Sequence, residues 1–135
     1  MPENRIKEIG PKIDIGCGGN KQVGFIGIDF IDYGQEIVWD IRNGLPFPDQ
    51  SIEEIYSAQF FEHLTPPEVN KLAWEIKRVA KPGCKMLMVV PVDWPDIAHY
   101  SYWNDKIVRG FCSSWGVNLE KIEIRDNNIW AWIII

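Results

Sequence analysis

Residues 12–30 read KIDIGCGGNKQVGFIGIDF. The apolar alternation at Ile13 and Ile15 predicts a strand that runs into a glycine turn at Gly16, Gly18 and Gly19. Residues 25–28 predict a second strand, closed by Asp29. In an open parallel α/β sheet, ligands sit outside the carboxyl ends of the strands. Glycines there let the backbone approach a ligand closely, because no Cβ stands in the way. A carboxylate at the tip of the next strand can accept two hydrogen bonds from a ribose diol, and charge-assisted bonds of that kind are the stronger ones. Together the two features are the minimum needed to grip an adenosine-type molecule.

What the stretch lacks narrows the ligand. Only Gly16 to Gly24 separates the two strands, 24 − 16 + 1 = 9 residues. A parallel crossover ordinarily takes about a dozen or more. Nine extended residues still reach roughly 30 Å at ~3.3 Å each, so a loop or single turn can return the chain, whereas a full helix does not fit. A dinucleotide fold seats its pyrophosphate on the N-terminus of that helix. A ligand with phosphates loses its anion seat here. S-adenosylmethionine, a sulfonium without phosphate, loses nothing.

Asp14, Ile15, Gly16, Cys17 and Gly18 resemble the first motif of the class I S-adenosylmethionine-dependent methyltransferases, and Ile26, Gly27, Ile28 and Asp29 resemble the second. Asp40, the run LPFPD at 45–49, Glu62, His63 and Leu64, and Lys81, Pro82 and Gly83 follow in that family's order and spacing. The similarity is close over residues 12–91 and holds only in outline beyond. One departure stands out: Asn20 occupies the place of the usual third glycine, and the helix that should follow is nearly deleted. A subset of the family looks trimmed in the same way. The resemblance implies a Rossmann-like α/β fold whose seven-stranded, mostly parallel sheet ends in an antiparallel hairpin, with S-adenosyl-L-methionine as cofactor.

Length and composition agree. One hundred and thirty-five residues fit a single domain, 1–135, with nothing to spare for a separate substrate domain. A net charge of −5 and the lack of a basic stripe argue against nucleic acid, whose binding rests on clustered Lys and Arg. No run approaches the ~20 apolar residues of a membrane span. Cys17, Cys84 and Cys112 are odd in number and contain no CxxC pair. They read as reduced thiols of a cytoplasmic protein, so neither a disulfide frame nor a metal site is expected.

Further along, residues 1–11 form a polar lead-in that can cover the cofactor. Residues 36–39 read as a short strand closed by Asp40, 43–51 as a loop dense in turn formers, and 52–58 as a strand. Thr65, Pro66 and Glu68 form a capping box with proline at the first helical position. Val69, Leu72, Ala73, Ile76, Val79 and Ala80 then share one face of a helix. Lys81, Pro82 and Gly83 end it, and 85–90 is a continuous apolar strand, the kind buried on both faces. After an aromatic loop over 91–103, Asn104 caps a second helix with Ile107, Val108, Phe111 and Trp115 inward and Gly116 as its stop. A hairpin of 119–125 and 129–135 closes the chain.

The candidate cofactor residues are Asp14, Gly16, Cys17, Gly18, Asp29, Phe30, Asp40, Ile41 and Gln59. The resemblance implies that Asp14 lies near the methionine end and Asp40 near the adenine amino group, with Ile41 beside it. The plainer readings are a strand-tip aspartate bonding the glycine turn for Asp14, a turn cap for Asp40 and core packing for Phe30. Residues 57–59, ending at Gln59, should lie under the sulfonium by fold geometry and meet it through their backbone, with no role assigned to their side chains. Methyl transfer is an in-line displacement, so orientation is the protein's main contribution. A general base is needed only if the acceptor must lose a proton. His63 and His99 are the only side chains whose ordinary pKa suits that task, with Asp93 and Tyr100 as weaker candidates. A structural Glu-His pair ahead of a helix is the alternative for His63. Trp94, Tyr100, Tyr102 and Trp103 either stack on a flat or sugar-like acceptor, or cover the sheet's open edge or form a subunit contact.

These readings converge on a compact S-adenosylmethionine-dependent methyltransferase acting on a small acceptor. The rival is a non-catalytic binding module of the same fold, working as an oligomer, since the short glycine loop leaves one wall of the site open and the strand ending at 133–135 is an edge needing cover. A nicotinamide oxidoreductase fails on the absent phosphate-binding helix.

Overall fold

The computed structural model describes residues 12–92 and 96–135. The expectations for residues 1–11, Asp93 and Trp94 lie outside them. One seven-stranded sheet has the order β3-β2-β1-β4-β5-β7-β6, built from β1 (Lys12–Ile15), β2 (Ile26–Asp29), β3 (Ile37–Val38), β4 (Ile52–Ala58), β5 (Ala80–Pro91), β6 (Asn118–Arg125) and β7 (Asn128–Ile134). The first five strands pair in parallel, while β7 runs antiparallel to both β5 and β6. The strand order reverses between β1 and β4, and a crevice at their carboxyl ends follows from that reversal.

The β1–β2 crossover contains no helix, yet the strands pair in register from Ile13 opposite Ile26 to Ile15 opposite Ile28. Side chains hold the bare loop in place. The buried Asp14 carboxylate accepts from the Gln22 amide at 2.9 Å. Lys21 reaches the Phe25 carbonyl at 2.9 Å and the Glu36 carboxylate at 3.2 Å, and Glu36 also accepts from the Gly27 amide at 2.8 Å.

Helix α1 (Pro66–Val79) starts at the expected capping box: Glu68 N donates to Thr65 Oγ1 and Thr65 N to Glu68 Oε1. It buries Val69, Leu72, Ala73, Ile76 and Val79 against the sheet. Ala80 is not its last residue; its backbone is already extended and opens β5. The Lys81, Pro82, Gly83 segment likewise falls inside β5. The ladder jumps from Ile52 opposite Ala80 to Glu54 opposite Lys85, so the intervening residues bulge out, with Gly83 at φ +82°.

Helix α2 (Asp105–Trp115) is capped by Asn104 Oδ1, which accepts from Ile107 N at 2.8 Å, and stops at Gly116 in the left-handed conformation. Its buried face is Val108, Cys112 and Trp115. Ile107 is exposed and Phe111 half-buried, a correction to the expected face: spacings of four and three from Val108 set the stripe, and Ile107 falls beside it. Trp115 Nε1 donates to the Ala73 carbonyl at 2.8 Å, and Lys77 Nζ to the Trp115 carbonyl at 2.8 Å, joining the two helices.

The closing hairpin turns at Asp126 and Asn127, both at positive φ (49° and 61°), the two-residue geometry that matches strand twist. Ile129, Ala131 and Ile133 point into the core. Because β7 is paired on both sides, the isoleucine-rich strand is not an edge. The described edges are β3 and β6, and the expected need for cover at 133–135 disappears.

Candidate active site

A cavity of about 520 Å³ opens at the carboxyl ends of β1 and β2, within the range usual for small-molecule sites. Gly16, Ile28, Asp29 and Phe30 line it, together with Trp39, Asp40, Ile41 and Arg42 and with Phe60, His63, Leu64, Ala98 and Tyr100.

The β1 turn is built by its backbone. Gly16 N and Cys17 N both donate to the Ile28 carbonyl, at 2.8 and 3.3 Å. Gly16 (φ +67°) and Gly18 (φ +56°) adopt the left-handed conformation. Each Asp29 oxygen takes one amide: Oδ2 from Gly18 at 3.0 Å and Oδ1 from Ile31 at 3.1 Å. A carboxylate has about four lone-pair sites, so roughly two remain for a ligand. Phe30 is 60% exposed at the rim, which sets aside core packing as its role.

Asp40 also lines the cavity, but Arg42 engages it twice: Nη2 donates to Oδ2 at 2.7 Å and Nε to Oδ1 at 2.9 Å, while Arg42 N donates to Oδ1 at 3.0 Å. The Arg42 guanidinium, with its amide assisting against slight burial, holds the Asp40 carboxyl below the usual range. Both Asp40 readings are therefore present: it caps the short 3-10 turn Ile41–Asn43 and it faces the cavity.

Five candidates are not among the cavity's lining residues: Asp14, Cys17, Gly18, Gln59 and His99. Asp14 is committed to the loop through Gln22, and burial pushes its carboxyl up to about 6, against the lowering effect of the Gln22 amide. Cys17 is buried with its thiol pushed up to about 12, first by burial and then by Asp14 and Asp29. Gln59 sits at φ 57° and turns its side chain to Asn128, donating to Oδ1 at 2.7 Å. The neighbouring Phe60 takes the place at the tip of β4. Phe60 and Arg42 were missed from sequence; only their places just past a strand tip and just past Asp40 hinted at them.

The two histidines come together. His63 lies on the 3-10 turn Phe61–His63 after β4, and its ring centroid is 5.0 Å from that of His99. His63 Nδ1 is 3.0 Å from the Ala98 carbonyl. Near them is Glu62, only 2% exposed, with Oε2 3.7 Å from His63 Nε2. Burial raises the Glu62 carboxyl, opposed by its own backbone amide, His63 and His99. Of the loop aromatics, Trp103 is buried edge-on between Phe61 (6.4 Å) and Phe111 (5.4 Å), so it belongs to the core and is not a stacking surface. Tyr100 and Tyr102 are exposed, and Tyr100 lines the cavity.

A glycine turn and an acid at adjacent strand tips of such a sheet are an arrangement that binds a nucleoside-containing cofactor. The chain matches the methyltransferase domain family over residues 13–88, more than half its length, and belongs to that class I S-adenosylmethionine-dependent methyltransferase family. Its fold is similar to that of an S-adenosylmethionine-dependent methyltransferase from Aquifex aeolicus (TM-score 0.74, 21% identity, covering 99% of this chain and 89% of that one). It is also similar to one from Archaeoglobus fulgidus (TM-score 0.76, 14% identity, 98% and 92%). A third is Burkholderia thailandensis 1,6-didemethyltoxoflavin-N1-methyltransferase, solved with 1,6-didemethyltoxoflavin and S-adenosylhomocysteine (TM-score 0.73, 9% identity, 91% and 69%). At these identities the likeness concerns the fold. Among curated proteins no sequence matches the chain.

The cofactor is S-adenosyl-L-methionine. The site fits it: nothing lies within 4 Å of where a Gly18 β-carbon would stand, leaving the turn open, and Asp29 retains acceptor capacity beside an apolar rim. Among the described residues no helix is long and apolar enough to cross a membrane.

Proposed function

We propose that the chain transfers a methyl group from S-adenosylmethionine to a small acceptor. The observation that carries this reading is that one cavity is lined both by Gly16, Asp29 and Phe30 and by His63 and Tyr100. Asp29 would hold the ribose diol with its spare lone pairs, and Phe30 and Ile41 would flank the adenosine. Asp40, steadied by Arg42, would face the adenine amino group. S-adenosylmethionine supplies, when bound, a methyl group already activated by a positive sulfur. The remaining task is to place the acceptor in line and exclude water, where orientation contributes several kcal/mol. His63 lines the cavity and the His99 ring packs against it, the pair placed to act on the proton of an acceptor oxygen or nitrogen.

One observation favours the rival reading, a binding module completed by a second copy. Phe30 and Trp39 line the cavity and are exposed, as are Ile31 and Tyr33 next along the chain from Phe30, which leaves apolar surface open for a partner. Calorimetry with S-adenosylmethionine, S-adenosylhomocysteine and NAD tests the cofactor. Transfer of labelled methyl to a panel of small acceptors then separates enzyme from binding module: binding without transfer, from a dimer whose Ile31→Asp variant is monomeric and no longer binds, would favour the module.

A further inference from the structure

The chain has two histidines, and the fold brings both to one buried carboxylate. Glu62, His63 and His99 each present a ligand atom, and these atoms all lie within 4.8 Å of one another. They come from two segments, the turn Phe61–His63 and the loop after β5, that are already fastened together. Tyr100 N and Ser101 N donate to the Glu62 carbonyl at 2.8 and 3.2 Å, and Ser101 Oγ donates to the Phe61 carbonyl at 3.0 Å.

The carboxylate is the unusual member. Glu62 is 2% exposed, and its Oε1 has no hydrogen-bond partner among the described residues. A buried charge without a partner is strongly disfavoured. Among the described residues Glu62 forms no ion pair with Lys or Arg, and the side chain that meets its carboxylate is that of His63. At 3.7 Å that contact is too long for a hydrogen bond.

The imidazole of His63 is oriented for something other than that contact. The Ala98 carbonyl can only accept, so Nδ1, 3.0 Å away, carries the hydrogen. In the neutral ring Nε2 is then a lone pair, and it faces a carboxylate oxygen. Two electron-rich atoms opposed in this way call for a positive charge between them. A backbone carbonyl fixing the far nitrogen is also how metal-ligating histidines are ordinarily held.

We propose that Glu62, His63 and His99 form a three-ligand site for a divalent transition-metal ion of the zinc type. Two imidazoles and one carboxylate suit zinc, cobalt or iron(II) better than magnesium or calcium, which favour all-oxygen shells. Ligand atoms at ~2.1 Å from a tetrahedral zinc stand about 3.4 Å apart, so the three need to close by roughly an ångström, within reach of side-chain rotation at the exposed His63. Three protein ligands leave a coordination position open. His63 also lines the large cavity, which puts the ion beside it. The site stands on this geometry alone and does not depend on the transferase reading.

The test is titration of the tag-free, metal-stripped full chain with Co²⁺ followed by visible absorption, with Zn²⁺ calorimetry in parallel. The expected result is one ion per chain, cobalt bands of a low-coordinate nitrogen and oxygen site without sulfur charge transfer, and at least about a tenfold loss of affinity in His99→Ala and in His63→Ala. Glu62→Gln should lose affinity similarly, and circular dichroism checks that each variant is folded; where Glu62→Gln does not fold, the two histidine variants decide. Absence of Zn²⁺ binding would overturn the site, because an imidazolium–carboxylate pair would then suffice. So would sulfur charge transfer, which would place the metal on the cysteines, or binding unchanged in both histidine variants.

Discussion

Phe60 stands directly against Gly16: a β-carbon at Gly16 would lie 2.1 Å from Phe60 Cδ1 and 2.8 Å from Phe60 Cβ. The tip of β4 is thus pressed onto the glycine turn of β1 with no space between them. Gly16 also sits at φ +67°, where a side chain is strained. The contact explains why the turn after β1 needs glycine at this position even where no ligand touches it.

Gly16→Ala should therefore cost roughly 2–4 kcal/mol, the sum of the left-handed strain and an overpacked contact. Gly18→Ala shares the strain but meets nothing within 4 Å, so its cost should be about 1–2 kcal/mol. Urea unfolding of the two variants checks the ordering. Equal losses would show that backbone strain, and not Phe60, governs the turn.

Asp14 gives a pH signature with a definite sign. Its carboxyl is raised from 3.8 to about 6 in the folded protein, chiefly by burial. The native state therefore binds the proton more tightly than the unfolded chain does. This contribution makes stability fall as pH climbs from about 4 to about 6 and stay flat above. Asp14→Asn keeps an oxygen to accept from the Gln22 amide and removes the charge. It should stabilise the protein at pH 7 by on the order of 1–3 kcal/mol and abolish that part of the pH slope. Destabilisation at pH 7 would mean that the charge is needed.

How much of this was legible in the sequence depends on what each residue answers to. The helix-less crossover, the capping box at Thr65 and Glu68, and the seven strands follow from local patterns, so they could be read from order and spacing alone. The strand end at 133–135 could not, because whether a strand is an edge depends on which neighbours it acquires. Here β7 slots between β5 and β6. Between the two readings of Trp103 the sequence does not decide for a similar reason: only the fold shows Phe61 and Phe111 enclosing it. At the site, Gly16, Asp29, Phe30, Asp40 and Ile41 lie at the cavity, since strand tips determine their places. The side chains of Asp14, Cys17 and Gln59 meet Gln22, the core and Asn128, partnerships that only the folded chain creates.

Trp115→Phe removes the indole donor to the Ala73 carbonyl while preserving an aromatic ring in the core. A buried hydrogen bond of this kind is worth about 1–2 kcal/mol. Thermal unfolding should show a loss of that size with cofactor affinity unchanged, since neither residue touches the cavity. A drop in affinity instead would mean that the α1–α2 junction shapes the site.

The central claim is that the tips of the first strands hold S-adenosylmethionine through Asp29. Calorimetric titration of the parent and of Asp29→Ala measures it most directly. The account predicts saturable binding by the parent and a loss of at least ~1.5 kcal/mol, about tenfold, in a folded variant, the low end for a hydrogen bond to a charged group. No binding by the parent, or equal affinity in the two proteins, would contradict it.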